Sequence, residues 1–129
     1  MMYAFGSSSE QYPFYRRYFI GHILQLGGNY IIIMNEVLFQ WDEKKNTINK
    51  RKHKISFEEA STVFYDEEAL VIDDPDHSEE EERFLILGVS NIANLLVVCH
   101  CYRETQSVIR IISARRATKK ETQYYQYSL

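Results

Sequence analysis

The chain reads as an α+β domain: a mostly antiparallel sheet of four to five strands, with two helices before it and one after it. Three observations lead there. Apolar runs of strand length recur at Val37–Trp41, Ala69–Ile72, Arg83–Leu87, Leu95–Tyr102 and Ser107–Ser113. Two capping signatures, Ser56-x-x-Glu59 and Thr118-x-x-Glu121, open stretches of helical spacing. Short turn segments join the later strands, which favours an antiparallel meander with the helices packed on one face.

Taken in order, Val37–Trp41 is short and aromatic-bearing and reads as an edge strand. Asp42 caps a helix over about 43–53, with Glu43 in its first turn and Lys50, Arg51, Lys52 and Lys54 at its end, the favourable polarity for a helix dipole. Asn46, Asn49 and His53 share one face of it. The next helix buries Phe57, Ala60, Val63 and Phe64. After the strand ending at Ile72 comes an acidic loop to Glu82, read as solvated surface. Arg83–Leu87 ends at Gly88, and Ser90-Asn91 is a turn. Leu95–Tyr102 is apolar throughout and reads as the central strand, with Cys99 and Cys101 on one face and His100 on the other. In the last strand Ile109 and Ile111 oppose Val108, Arg110 and Ile112, and Arg115 and Arg116 sit at its exit. Thr118 opens the C-terminal helix carrying Tyr124, Tyr125 and Tyr127.

With 129 residues the expectation is one domain, and 45% hydrophobic content supports a core. The first 33 residues are set apart, with only Glu10, Arg16 and Arg17 charged. The periodic signals begin after Met34, so residues 1–33 are expected to be an extension upstream of a start at Met34, and 34–129 the domain. Tyr18–Met34 includes His22, Gln25, Gly27, Gly28 and Asn29 and falls short of a membrane helix.

A net charge of −3 argues against a uniformly basic surface, yet the charge is polarised. Residues 103–120 hold Arg103, Arg110, Arg115, Arg116, Lys119 and Lys120 against Glu104 alone, while residues 66–82 are acidic without a Lys or Arg. Such polarity suits a local anion site, self-pairing or a charged partner. Cys99 and Cys101 would need further ligands to hold zinc, and as core thiols they fit a reducing cytoplasm. Asp73, Asp74 and Asp76 resemble a hard-cation cluster but lack the loop that calcium asks for. No metal or cofactor is expected. Phosphate loops, dinucleotide fingerprints and nucleophile elbows are absent from the sequence.

What remains is a set of groups suited to a phosphate. Guanidinium pairs bidentately with phosphate, which points to Arg110 and Arg116, with Arg83 and Arg115 assisting. His53 can exchange a proton near neutral pH, and Glu59 is a second candidate for proton transfer, although capping already explains it. The alternative for each arginine is solvation or pairing with a carboxylate, and for His53 a cap.

Trp41-Asp42-x-x-Lys45-Asn46-x-x-Asn49, Lys52-His53-x-Ile55-x-Phe57-Glu58-Glu59-Ala60, Asp73-x-x-x-His77-Ser78, Glu82-Arg83 and Ile111-Ile112-Ser113-Ala114-Arg115-Arg116-Ala117 together resemble the BrnT toxin family over about residues 37–125. Lys54 stands where that family usually has glycine; if the position takes positive φ, lysine costs ~1 kcal/mol. The resemblance implies a RelE-like fold and a type II toxin–antitoxin toxin that inhibits translation by cutting RNA in the cytoplasm. It implies neutralisation by a BrnA-type antitoxin carrying a ribbon-helix-helix domain, through which alone the pair would reach operator DNA. On that reading the cleavage is metal-independent, with His53, Arg110 and Arg116 catalytic and Arg83, Arg115, Lys52 and Tyr124 binding RNA. A protein-binding module without chemistry, or an inactive toxin kept within an autorepressor complex, are the rival readings.

Overall fold

A computed structural model describes residues 14–26, 29–74, 82–103 and 108–129, with side chains from Leu38 onward except at Asp73. The expected acidic loop and the turn after Arg103 fall largely outside the described residues. Along the chain run β1 (Phe14–Leu26), β2 (Asn29–Trp41), α1 (Glu43–His53), α2 (Phe57–Thr62) with a 3-10 turn (Val63–Tyr65), β3 (Leu70–Asp73), β4 (Phe84–Val89), β5 (Leu95–Arg103), β6 (Val108–Arg116) and α3 (Lys119–Tyr127).

The fold is α+β, as expected, but among the described residues its sheet has six strands, in the order β1-β2-β6-β5-β4-β3. β3 to β6 form the antiparallel meander. β2 joins β6 in parallel through Leu38–Gln40, and β1 lies antiparallel along β2. Val37–Trp41 is therefore not an edge strand. It is the end of a strand beginning at Asn29 and is flanked by β1 and β6.

α1 begins where Asp42 accepts the Lys44 N–H at 2.9 Å. It ends at Lys54, which is left-handed (φ 64, ψ 23) and donates its N–H to the Lys50 carbonyl at 3.0 Å. Two buried asparagines fix what surrounds α1. Asn46 accepts the Phe57 N–H at 2.8 Å and so docks the start of α2. Asn49 accepts the Ala114 N–H (3.1 Å) and donates to the Ala114 (2.7 Å) and Ile55 (2.9 Å) carbonyls. β2 pairs with β6 only as far as Arg110, so the edge of β6 beyond it needs other partners. The Asn49 carboxamide supplies them in place of a strand.

The helices do not share one face. Leu96 and Val98 alternate with Val97 and Cys99 along β5, and both sets are buried. Toward α2 lies the main core of Phe39, Trp41, Ile55, Phe57, Ala60, Val63, Ile86, Leu96, Val98, Ile109, Ile111 and Ala114. Each fully buried large side chain there contributes about 1.5–3 kcal/mol. Toward α3 lies a smaller cluster of Leu87, Val97 and Tyr125, flanked by Leu70, Leu85, Val89 and Leu95. The Tyr125 hydroxyl donates to Asp66 Oδ2 at 2.6 Å, and Asp66 also accepts the Val89 N–H. Burial opposes the Asp66 charge, but these bonds and one from Glu68 outweigh it and lower its pKa. Gly88 leaves room for this junction: a Cβ there would meet Val63 Cγ1 at 2.8 Å and Ala69 Cβ at 3.0 Å.

Candidate active site

Cross-strand partners in a sheet point to the same side, so register assigns each candidate a face. Arg110 stands opposite Cys101, Ser113 opposite Cys99, and Arg115 opposite Val97. All of these face α3. Ala114 stands opposite Val98 and Arg116 opposite Leu96, facing α2. Ile112 has no partner between Ile111 and Ser113 and forms a bulge. An unbroken strand would carry Arg110 and Arg116, six positions apart, to one face. The bulge sends them to opposite faces.

The structure brings His53 and Arg115 together in one pocket on the α3 face, and places Arg110 on the same face and Arg83 within electrostatic reach of it. His53, at the end of α1, reaches around the edge of β6 and lines a pocket of about 70 Å³ with Leu85, Val97, Cys99, Ser113, Ala114 and Arg115. Arg110 is the neighbouring residue of that face on β6 and is 6% exposed. Arg83, just before β4, is close enough to act electrostatically on Cys99. Burial, followed by Asp74, pushes the Cys99 thiol up to about 12, and its Sγ donates to Asp74 Oδ2 at 3.4 Å. Cys99 is therefore a neutral thiol and no nucleophile at pH 7.

Arg115 is held by a carboxylate. Its Nη1 and Nη2 donate to the two Glu121 oxygens at 2.8 and 3.0 Å. Glu121 also accepts the Thr118 N–H, completing a capping box. The Arg115 bond leads in lowering Glu121 to about 2, and the same bond raises Arg115. The C-terminal capping box thus fixes an arginine as well as a helix end.

Arg116 belongs to another network, on the α2 side. Its Nη1 donates to Asn94 Oδ1 at 2.6 Å, and Asn94 Nδ2 donates to Glu59 Oε2 at 2.7 Å. Glu59 also accepts from the Ser90 hydroxyl at 2.7 Å. Ser56 accepts the Glu59 N–H as its signature implied, but the Glu59 side chain turns to the β4–β5 turn, so that box is half made. Lys52 is exposed on the last turn of α1, and Tyr124 is exposed on α3. Ser113, which sequence reasoning passed over, lines the His53 pocket; only the bulge puts it there. Among the described residues no cluster of three or more His, Cys, Asp or Glu could hold a metal ion. No described helix is long and apolar enough to cross a membrane.

The family model for a ribonuclease toxin, BrnT, of a type II toxin–antitoxin system matches residues 41–121. The chain belongs to the BrnT family. The matched span runs from Trp41, the first core residue after the β2–β6 pairing, to Glu121, the partner of Arg115. Every candidate of the α3 face lies inside it, as does the Asn49 clasp on β6. The crystal structure of the Brucella abortus ribonuclease toxin BrnT is similar at 23% identity and a TM-score of 0.47, over 61% of this chain and 94% of that one. No curated protein matches the chain. Membership of the BrnT family makes the chain a ribonuclease toxin of a type II toxin–antitoxin system, whose counterpart is an antitoxin.

Proposed function

We propose that the α3 face of the sheet cleaves RNA by internal transfer. The observation that carries this reading is the pocket shared by His53 of α1 and Arg115 of β6, with Arg110 on the same face of β6 and Arg83, before β4, within electrostatic reach of Cys99 in that pocket. His53 takes the proton of a ribose 2′-hydroxyl, and the 2′-oxygen attacks the adjacent phosphorus. The bond from phosphorus to the 5′ oxygen breaks, and that oxygen takes up a proton. The products are a 2′,3′-cyclic phosphate and a 5′-hydroxyl. Arg110 and Arg83 stabilise the charge that gathers on the phosphate oxygens, and the step asks for no metal.

Arg115 arrives oriented by Glu121 and partly neutralised, so it positions the phosphate more than it stabilises charge. Lys52 contacts flanking phosphates, and Tyr124 offers a base-stacking ring. Arg116 acts on the other side of the sheet, through Asn94, by holding the β4–β5 turn. The antitoxin is of BrnA type and carries any DNA contact, and the toxin works in the cytoplasm.

Purified protein, RNA and a chelator test this. Wild type should cleave with chelator present. Arg83→Gln and Arg110→Gln, checked for folding by circular dichroism, should each lose about 10²–10³ in rate, the usual effect of removing one charge-stabilising donor. Arg116→Gln should cleave at wild-type rate when folded. Full-rate cleavage by both Arg83→Gln and Arg110→Gln would overturn the assignment. The Arg115–Glu121 pair favours a second reading, a protein that binds its antitoxin without cutting RNA; a tight complex with no cleavage product would establish it.

A further inference from the structure

β2 is longer than the domain requires. It meets β6 only through Leu38–Gln40, yet it begins at Asn29 and pairs with β1 along its whole length. β6 begins at Val108, opposite Leu38. Among the described residues no strand pairs with the edge of 29–37 that faces away from β1. At about 3.3 Å per residue this open edge runs roughly 30 Å. The register of β1 on β2 is one-to-one from Phe14 opposite Trp41 to Leu26 opposite Asn29, so no bulge interrupts it. The sequence of the edge is that of a strand with neighbours on both sides. Ile31 and Ile33 hold positions on one face and Ile32 and Met34 on the other, where a half-solvated ribbon would alternate apolar with polar. Two strands alone are marginal in water, and a stable ribbon asks for a third. Exposed edges are ordinarily blunted by lysine, proline or a bulge. This one has none of them, and Glu36 is its single charge.

A second copy of this chain supplies what the edge lacks. Antiparallel pairing of β2 with itself about a twofold axis overlaps all of 29–37 when the axis passes at Ile33, the midpoint. Ile33 then stands opposite its own counterpart, Ile32 opposite Met34, Ile31 opposite Asn35, Tyr30 opposite Glu36 and Asn29 opposite Val37. Aliphatic pairs fill the centre, and each carboxylate meets a tyrosine rather than its own kind. The contact closes on itself, because the edge of each copy is used up by the other. The outer edge of β1 is a poorer match: its sequence carries Arg16 and Arg17, and Gly21 lies beside its midpoint. We propose that residues 29–37 are a homodimer interface, in which the β2 strands of two copies join antiparallel at Ile33. The product is a four-stranded ribbon, β1-β2-β2-β1, between two domains. The interface lies before residue 41, outside the span that the family model matches, so it belongs to this chain's own extension. It does not rest on the ribonuclease reading.

The test uses the full 129-residue chain. Sedimentation equilibrium of wild type should give twice the mass of one chain, falling to a monomer on dilution. Ile33→Lys and Ile33→Glu each set two like charges opposite one another at the axis, and each should weaken the dimer about tenfold or more. An equimolar mixture of the two variants should recover dimers, now with lysine opposite glutamate; an interface elsewhere on the molecule gives no such rescue. Among the described residues the core begins at Leu38, so both variants should keep the thermal transition of the domain. Hydrogen exchange on the unmodified protein is a readout that stands even if a variant misfolds. The amides of 29–37 should exchange faster when the dimer is diluted to monomer, while those of Leu95–Arg103 keep their rate. A wild-type protein that stays monomeric at every concentration would overturn the proposal. Dimers of wild-type strength in both folded variants would overturn it too, as would no rescue on mixing, or exchange in 29–37 that ignores dilution. Oligomers that grow past two without limit would overturn the twofold closure in favour of open edge-to-edge growth.

Discussion

The carboxamide of Asn49 satisfies both backbone hydrogen-bonding groups of Ala114, at 2.7 and 3.1 Å, across 65 positions of sequence. One helix side chain thereby performs the task of a neighbouring strand, and it holds His53, one turn further along α1, over the edge of β6. Asn49→Leu strands the Ala114 N–H, the Ala114 carbonyl and the Ile55 carbonyl in a buried setting. We expect a loss of about 3 kcal/mol in urea unfolding, with Asn49→Asp no better because its oxygens face two carbonyls. A change under about 0.5 kcal/mol in either would show that the clasp carries no weight.

Lys54 holds a left-handed conformation that a side chain disfavours. Lys54→Gly is expected to stabilise the protein by about 1 kcal/mol, since the cap bond to Lys50 is made by the backbone and survives. Denaturant midpoints measured side by side decide it; a glycine variant that is no more stable would place the strain elsewhere.

His100 is wholly buried among aromatic rings, 4.8 Å from Phe64 and 5.4 Å from Tyr102 between centroids. Its Nδ1 donates to the Val98 carbonyl, and among the described residues Nε2 has no partner. Burial pulls its pKa down from 6.5 to about 4. Below 6.5 the unfolded chain takes up a proton that the folded one refuses, so stability present at neutral pH drains away as pH falls toward 4. The loss approaches about 3 kcal/mol over that window. Unfolding at pH 7, 5.5 and 4.5 should trace it, and His100→Leu should flatten it. An equal slope in the leucine variant would move the origin to another group.

A chain starting at Met34 tests whether β1 and the first half of β2 belong to the domain. Among the described residues the core begins at Leu38, and β2 meets β6 only through Leu38–Gln40. We expect this shortened chain to keep one cooperative thermal transition by circular dichroism. Its absence would make the β1–β2 hairpin a necessary part of the fold.

Local rules exposed much of this architecture in the sequence. Asp42, Ser56 and Thr118 cap the helices they were expected to cap, and the ends of α1 fall at Glu43 and His53 because dipole charges and a cap mark both. Alternation placed Cys99 and Cys101 together and His100 across from them. What depended on non-local partners was not legible. Nothing in Leu95–Tyr102 says which side receives which helix, because both sides are apolar. Asn49 read as part of the α1 face it shares with Asn46 and His53, and Glu59 as half of a capping box, but their partners Ala114 and Asn94 lie far along the chain. At the site, the arginines were visible but their sides were not, because a bulge at Ile112 resets a count of two.

That reset has a consequence for the adjacent arginines it precedes. Arg115 and Arg116 look like a matched pair with one to spare, yet pleating forbids them from trading places. Damage to either goes uninsured: losing Arg115 would loosen a carboxylate and a helix end, losing Arg116 would loosen a turn, and the two injuries should simply add. What reads as duplication along the chain is division of labour in space.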